Sequence, residues 1–550
     1  MKMFDFVVVG GGAAGCVVAA RLSEDPAHRV LLLEAGGEAD RPLVRIPLAW
    51  HKVSETARYD WGYRAEPEEA TGGRILHQAR GRLLGGSSSV NGLMYARGNR
   101  GDYDGWAALG LSGWGYDDVL PHFRALESNW RGEGPYHGAQ GPVAVVANPK
   151  HPVLFPRMIE AARELGYEEV PDFNGEGRPG FGMPDFTVRD GRRESSATSH
   201  LAAARNRPNL HVRTGALALR VLLRDGAAVG VEYQHGGRTE RVSAGEVVLC
   251  GGAYNSPQLL QLSGIGPAAA LRAVGIPVRH EAPAVGSNLQ DHPLLPAAVR
   301  VADEFALDAP LRADRVALNY LRWLRNGSGP LGQAALAAQG FVRTHSDDDW
   351  PDTQFQISYR AVFDRPWIRP SRRPGNRLTA AGMRLRPLSR GAVTLRSADP
   401  SVPPRIQLNL LAEQDDRRAA REILRFMRRF LAAEALSGLV TGELLPGLDV
   451  DDSDAALDAY VRANVMTGMH PAGTCAMGTD PATSVVDGSL RVHGVDGLRV
   501  VDASVMPRLV SGNTDAPTRM IAEKAAAIIL GQAPLGRRNA RSQEAEGVRP

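Results

Sequence analysis

An α/β fold carrying a second, inserted domain is predicted by three features of this 550-residue chain. A glycine turn sits between two apolar runs near the N-terminus. The same order of strand, small-residue turn and helix recurs near residues 246–262 and 498–530. The stretches between, roughly 155–205 and 300–460, are richer in Pro and Arg and alternate apolar with polar residues, as antiparallel strands do. Length agrees with the division, since single cores rarely grow beyond about 250–300 residues.

Residues 4–9 (FDFVVV) are the first apolar run, followed by Gly10-Gly11-Gly12-Ala13-Ala14-Gly15 and a predicted helix over 13–22. A second run, 30–33, ends in Glu34 and Ala35. Each part suits a bound dinucleotide. Gly10 permits a tight turn, Gly12 lets the backbone approach a pyrophosphate, and Gly15 lets the helix pack closely on the strand. Ala13 and Ala14 open a helix whose N–H groups and dipole face the phosphates. Glu34 can accept hydrogen bonds from ribose hydroxyls and disfavours a 2′-phosphate, and hence NADP.

The next unit is 246–250 (EVVLC), Gly251-Gly252-Ala253 and a helix over 256–262. The last is 498–501 (LRVV), Asp502-Ala503-Ser504 and a helix over 516–530, with Pro517 at its start, where a missing N–H costs little. These units, with Ala218, are placed around one nucleotide. In the inserted regions 354–358 and 392–396 read as strands, and 415–431 as a helix.

Composition excludes several functions. A net charge of +3 with no long basic run gives no footing for nucleic acid. Three cysteines, Cys16, Cys250 and Cys475, lie far apart with no C-x-x-C pair, which argues against disulfides and a structural zinc. No metal site is predicted. No run approaches the roughly 18 apolar residues of a membrane span. Cleaving the N-terminal run as a signal peptide would destroy the glycine turn. A cytoplasmic protein is expected, with peripheral membrane contact as the alternative. The last residues, 536–550, lack apolar periodicity and are expected to be disordered. The Arg-rich stretch 365–373 is either pocket wall or surface.

Three longer segments carry a resemblance. Residues 81–95 (GRLLGGSSSVNGLMY) resemble the first signature of the glucose–methanol–choline (GMC) flavoprotein oxidoreductases, and 252–266 (GAYNSPQLLQLSGIG) resemble the second. The likeness continues through 102–106, 285–292, 389–391, His470-Pro471-Ala472-Gly473-Thr474, 501–504 and 512–514, spanning about 4–532. It implies a Rossmann-like FAD-binding domain over 1–155, 206–300 and 461–535, with a substrate-binding domain of antiparallel sheet plus helices over 156–205 and 301–460. FAD contacts are implied at Gly86, Ser87, Asn91, Gly92, Leu93, Met94, Asp502, Ala503, Asn513 and Thr514. Asp502 is expected at the ribityl or pyrophosphate region, and the helix near Ala516 is expected to point at the flavin pyrimidine. In several members a histidine just before the Asn bonds covalently to the flavin. Here that position is Val90, so FAD is expected to be non-covalent.

The resemblance also implies a reaction. Alcohol oxidation needs a base for the hydroxyl proton, and His is the side chain whose ordinary pKa suits neutral pH. His470, in its His-Pro-Ala-Gly-Thr turn, is the expected base, and Asn513 the group that orients the substrate oxygen. The carbon-bound hydride goes to flavin N5. His292 is expected as scaffold and Cys475 as packing. The reading is an FAD-dependent dehydrogenase of choline or aliphatic-alcohol type that makes an aldehyde or ketone. A peroxide-forming oxidase and a hydroxynitrile lyase are the alternatives, and the electron acceptor is either oxygen or a quinone or redox partner.

Overall fold

The structure, a computed structural model, describes residues 3–302, 313–345, 349–359, 377–533 and 535. The tail 536–550 and the Arg-rich stretch 365–373 lie outside the described residues.

The apolar runs form a parallel sheet. Its strands run in the order Leu210–Arg213, Val30–Leu33, Met3–Val9 and the last part of Arg238–Leu249, with Leu498–Val500 along the far side of that strand. Strands covered on both faces need no polar side, which is why VLLL at 30–33 is buried throughout. The three predicted turn units are therefore neighbours in space. Arg238–Leu249 is one long strand with two kinds of partner. Its first half closes an antiparallel meander with Ala227–His235 and Ala216–Arg224, and its second half enters the parallel sheet. Helix Ala13–Leu22 is buried along most of its length and packs against the last helix, Asp515–Ile529.

A second, antiparallel sheet runs in the order Val440–Leu445, Pro293–Val301, Arg377–Arg384, Thr353–Ser358, Leu336–Val342 and Gly180–Gly182. Helix Gln414–Leu431 covers one face. Phe426 stacks on Phe355 with ring centroids 4.9 Å apart, and a Cβ on Gly382 would collide with Ile423. The other face is open to a cavity.

Two expectations shift. The boundary expected at 300 falls within strand Pro293–Val301, which is bonded into the second sheet, as is Met466–Thr467. The chain thus passes from His292 straight into that sheet without a linker. Residues 392–394 do form a strand, but they pair only with Arg405–Gln407 in a two-stranded ribbon outside the large sheet. Among the described residues no helix is long and apolar enough to cross a membrane.

Candidate active site

Between the two sheets lies a cavity of about 1490 Å³. That exceeds the roughly 300–1,000 Å³ of a single-ligand pocket, leaving room for a dinucleotide and a substrate together. It is bordered by Gly10, Gly12, Ala13, Ala14, Glu34, Ala35, Gly86, Ser87, Asn91, Gly92, Leu93, Met94, Ala218, Asp502, Ala503, Asn513 and Thr514, and by His470. Gly15 is the exception. It does not border the cavity, and a Cβ on it would overlap the Gly10 carbonyl oxygen. This is the close helix–strand packing expected of Gly15.

At the nucleotide end the backbone forms a cradle too narrow for side chains. Gly10 has φ +102°, and a Cβ there would sit 2.5 Å from the Cys250 carbonyl oxygen. Gly86 approaches Gly12 so closely that its Cβ would lie 2.7 Å from the Gly12 Cα. Helices Ala13–Leu22 and Asp515–Ile529 both begin at the cavity with no side-chain cap, so their first N–H groups remain for an anion. Glu34 Oε2 accepts the Gly11 N–H at 2.9 Å and Oε1 the Gly36 N–H at 2.7 Å. Each oxygen keeps a lone pair for a ribose hydroxyl. Burial pushes this carboxyl up to about 7 against those two N–H bonds. A buried acid beside glycine-lined helix ends fits a dinucleotide.

Asp502 borders the cavity with both oxygens engaged. Oδ2 accepts from Gly252 N–H at 2.8 Å and Ser256 Oγ at 2.6 Å, and Oδ1 accepts from Ser504 N–H at 2.8 Å. It ties two strand turns together at the edge of the cavity. Asn91 Oδ1 is likewise held, by Arg193 Nη1 at 2.8 Å and Leu93 N–H at 3.1 Å, leaving its amide N–H groups for a ligand. Val90 is buried among Val44, Val53, Tyr59 and Leu83.

At the other end the structure brings His470 and Asn513 together, with Asn513 Nδ2 3.0 Å from His470 Nε2. The remaining contacts dictate where the protons lie. His292 Nε2 is 3.1 Å from the Leu385 carbonyl oxygen, and its Nδ1 is 2.9 Å from His470 Nδ1. A carbonyl only accepts, so neutral His292 carries its proton on Nε2 and presents a bare Nδ1. His470 must then donate from Nδ1, which leaves Nε2 with its lone pair. Asn513 turns its NH₂ toward that lone pair, and its Oδ1 accepts from Gln354 Nε2 at 3.1 Å. Gln354 Nε2 also donates to Gln339 Oε1 at 3.0 Å.

Burial holds both imidazoles neutral. His292 is pushed down to about 4 by burial. His470 lies well below the ordinary imidazole range through burial first, then the neighbouring His292 and the Arg80 guanidinium. Asp291 Oδ1 accepts the His470 N–H at 2.9 Å and the His292 N–H at 2.8 Å, fixing both backbones. Burial pushes Asp291 up to about 7.

Sequence reasoning missed part of this arrangement. His292, read as scaffold, sets the tautomer of His470. Gln354 reads from sequence only as part of a strand and Gln339 carries no motif, although a buried amide amid alternating apolar residues signals a bonded partner. Cys475 is fully buried and does not border the cavity.

A dinucleotide cradle and a buried imidazole facing one cavity, walled by an antiparallel sheet, fit a dinucleotide-dependent oxidoreductase. The family models agree: GMC oxidoreductase matches residues 4–294 and, with its C-terminal model, 387–522. The chain is 42% identical over 560 residues to an oxygen-dependent choline dehydrogenase of Burkholderia pseudomallei, covering 100% of this chain and 97% of that protein. It is 39% identical over 553 residues to the protein of that name from Photobacterium profundum, covering 98% and 94%. Among solved structures, pyridoxine 4-oxidase from Mesorbium loti superposes with TM-score 0.85 at 34% identity, covering 96% of this chain and all of that one. Aspergillus oryzae formate oxidase does so with TM-score 0.89 at 30% identity, covering 96% and 98%. The chain belongs to the GMC oxidoreductase family and is an FAD-dependent oxidoreductase acting on CH–OH groups.

Proposed function

We propose that His470 Nε2 removes the hydroxyl proton of an alcohol while Asn513 Nδ2 holds the same oxygen, giving an aldehyde or ketone. Bound FAD supplies the two-electron acceptor for the substrate carbon. The supporting observation is the ordered set of N–H donors, which leaves Nε2 as the one bare nitrogen of His470. Asn513 Nδ2 has a second N–H for the developing alkoxide. As the imidazole takes the proton, its Nδ1–H stays bonded to His292 Nδ1, so the new charge forms against a fixed acceptor.

The pH dependence tests this. A base whose pKa lies below the ordinary 6.5 stays unprotonated through neutral pH and loses activity only as pH falls through the lowered value. The acid limb of kcat/KM is therefore expected below pH 6.5. Asn513→Asp sets a carboxylate against Nε2, favours the protonated ring and moves that limb upward. A limb at or above 6.5 in the native enzyme, or one unmoved in Asn513→Asp, removes His470 as the base.

The flavin is proposed to be held without a covalent bond. Val90 has no nucleophilic atom where the family's linking histidine stands. Acid precipitation should leave a yellow supernatant and colourless protein; colour retained in the pellet contradicts the assignment. The acceptor is read by assay. Peroxide formed in air in step with alcohol consumed marks an oxidase, whereas dye reduction without peroxide marks a dehydrogenase.

A further inference from the structure

Behind one wall of the cavity lies a charge that the protein itself does not balance. Arg193 is 2% exposed, and only backbone and amide oxygens hold its guanidinium. Nε donates to the Val44 carbonyl oxygen at 3.0 Å. Nη1 donates to Asn91 Oδ1 at 2.8 Å and to the Ser88 carbonyl oxygen at 3.4 Å, and Nη2 is buried with no acceptor. Among the described residues no carboxylate oxygen lies within 4 Å of this side chain. The neighbouring acids are paired elsewhere, Glu194 with Arg189 at 3.1 Å and Asp515 with Arg519 at 2.8 Å. Burial pushes the Arg193 guanidinium down to about 9, with Asp515 opposing the shift and Arg519 adding to it, so it remains a cation at neutral pH.

A buried charge without a partner is costly, and the direction left for one is the cavity. Leu43 and Ile46 beside Val44, Ser87 and Asn91 beside Ser88, and Asp515 all border it. This wall also stands at the reacting end. Arg519 Nη2, paired with Asp515, donates to the Glu194 carbonyl oxygen at 3.4 Å, which sets the start of helix Asp515–Ile529 beside Arg193. Shortly before that helix comes Asn513, whose amide meets His470. The pyrophosphate belongs to the cradle between Gly12 and Gly86. What FAD brings beside Asn513 is its flavin ring, which gains negative charge when it takes up two electrons and one proton.

We propose that Arg193 is a positioning residue for the cofactor: a cation held behind Asn91 that stabilises the negative charge of the reduced flavin ring and so raises its reduction potential. Away from water a fixed charge of this kind is weakly screened. A guanidinium only donates, so the same contact keeps Asn91 Oδ1 facing Arg193 and the Asn91 N–H groups turned from it. The inference rests on the reading that sets the flavin ring beside His470 and Asn513, and it adds a residue that lies outside both signature segments.

The test is the two-electron midpoint potential of bound FAD, measured on the holoenzyme against reference dyes with no alcohol present. Arg193→Gln removes the charge but keeps an N–H for Asn91, whereas Arg193→Lys keeps the charge. In Arg193→Gln the equilibrium constant for flavin reduction is expected to fall at least about tenfold, which is about 30 mV for a two-electron couple. Arg193→Lys should stay within about threefold of the native enzyme, about 15 mV. A merely structural role would lower flavin content in both variants and leave the potential of the flavin that remains unchanged. A potential unmoved in Arg193→Gln, or one that falls as far in Arg193→Lys, overturns the proposal. If Arg193→Gln retains no flavin, the native holoenzyme decides. One proton taken up per two electrons lowers the potential by about 30 mV for each tenfold fall in proton activity, and that slope near neutral pH supports the proposal. A slope of about 59 mV, two protons per two electrons, means a neutral reduced ring and overturns it. A native enzyme that no alcohol reduces, but whose potential behaves as stated, loses the oxidation reading and keeps this one.

Discussion

His470→Ala is expected to slow anaerobic flavin reduction by a good alcohol substrate about 10²–10⁴-fold, the usual contribution of a positioned base, with FAD still bound. The side chain borders the substrate end of the cavity, whereas its backbone N–H is held by Asp291, so truncation removes the base and leaves the turn in place. Flavin content and visible absorbance should match the native enzyme while the reductive rate collapses. A loss under about fivefold with full flavin content would assign proton removal to another group. The variant also separates the two histidines. Losing His292 leaves a base in the site but frees its tautomer, because the Leu385 carbonyl then no longer dictates which nitrogen of His470 carries the proton. His292→Leu should therefore retain more activity than His470→Ala and show a displaced acid limb. A merely structural role would lower the rate without moving the limb.

What the sequence disclosed follows from how local each feature is. The turn Gly10–Gly15 lies within one strand–helix unit, so its spacing alone carries the geometry. The buried run Val30–Leu33 and the helix Ala13–Leu22 follow for the same reason. The tautomer chain is the opposite case. It joins His292 to His470 across 178 positions and ends on a backbone carbonyl, and no motif records a carbonyl. Gln354 reaches Asn513 across 159 positions. Its alternation with Phe355 revealed a strand but not which face would meet the base. Asp502 borders the cavity, yet its engagement with Gly252 and Ser256 depends on a turn some 250 positions away, and only the bond from Ser504 N–H is local. The expected boundary near 300 falls inside a strand, because Pro293 begins that strand immediately after the His292 motif, with no linker composition to mark the change.

Two glycines of the first turn, Gly12 and Gly15, provide the second large effect, because they should fail in different ways. Gly12 has φ −80°, which alanine adopts freely, and its Cβ would stand 3.9 Å from the Cys250 carbonyl oxygen and 4.0 Å from the Gly86 Cα. These are ordinary contacts, so Gly12→Ala apoprotein should melt close to the native apoprotein. The added methyl enters the cradle, however, and should weaken FAD binding about 10- to 100-fold, the equivalent of losing one hydrogen bond to a charged group at about 1.5–3 kcal/mol. Gly15→Ala inverts the pattern, since its Cβ would overlap the Gly10 carbonyl oxygen and force the helix off the strand. Overpacking of that kind costs about 1–3 kcal/mol or more, so the apoprotein itself should lose stability. Apo forms must be compared, because bound FAD stabilises whatever it binds. Thermal melts of the apoproteins with FAD titrations of the folded fractions decide the matter. Should Gly12→Ala depress the apoprotein melt as far as Gly15→Ala while binding FAD like the native chain, the cradle between Gly12 and Gly86 is not where the cofactor's phosphates lie, because only a ligand there could feel a methyl group that the protein itself does not.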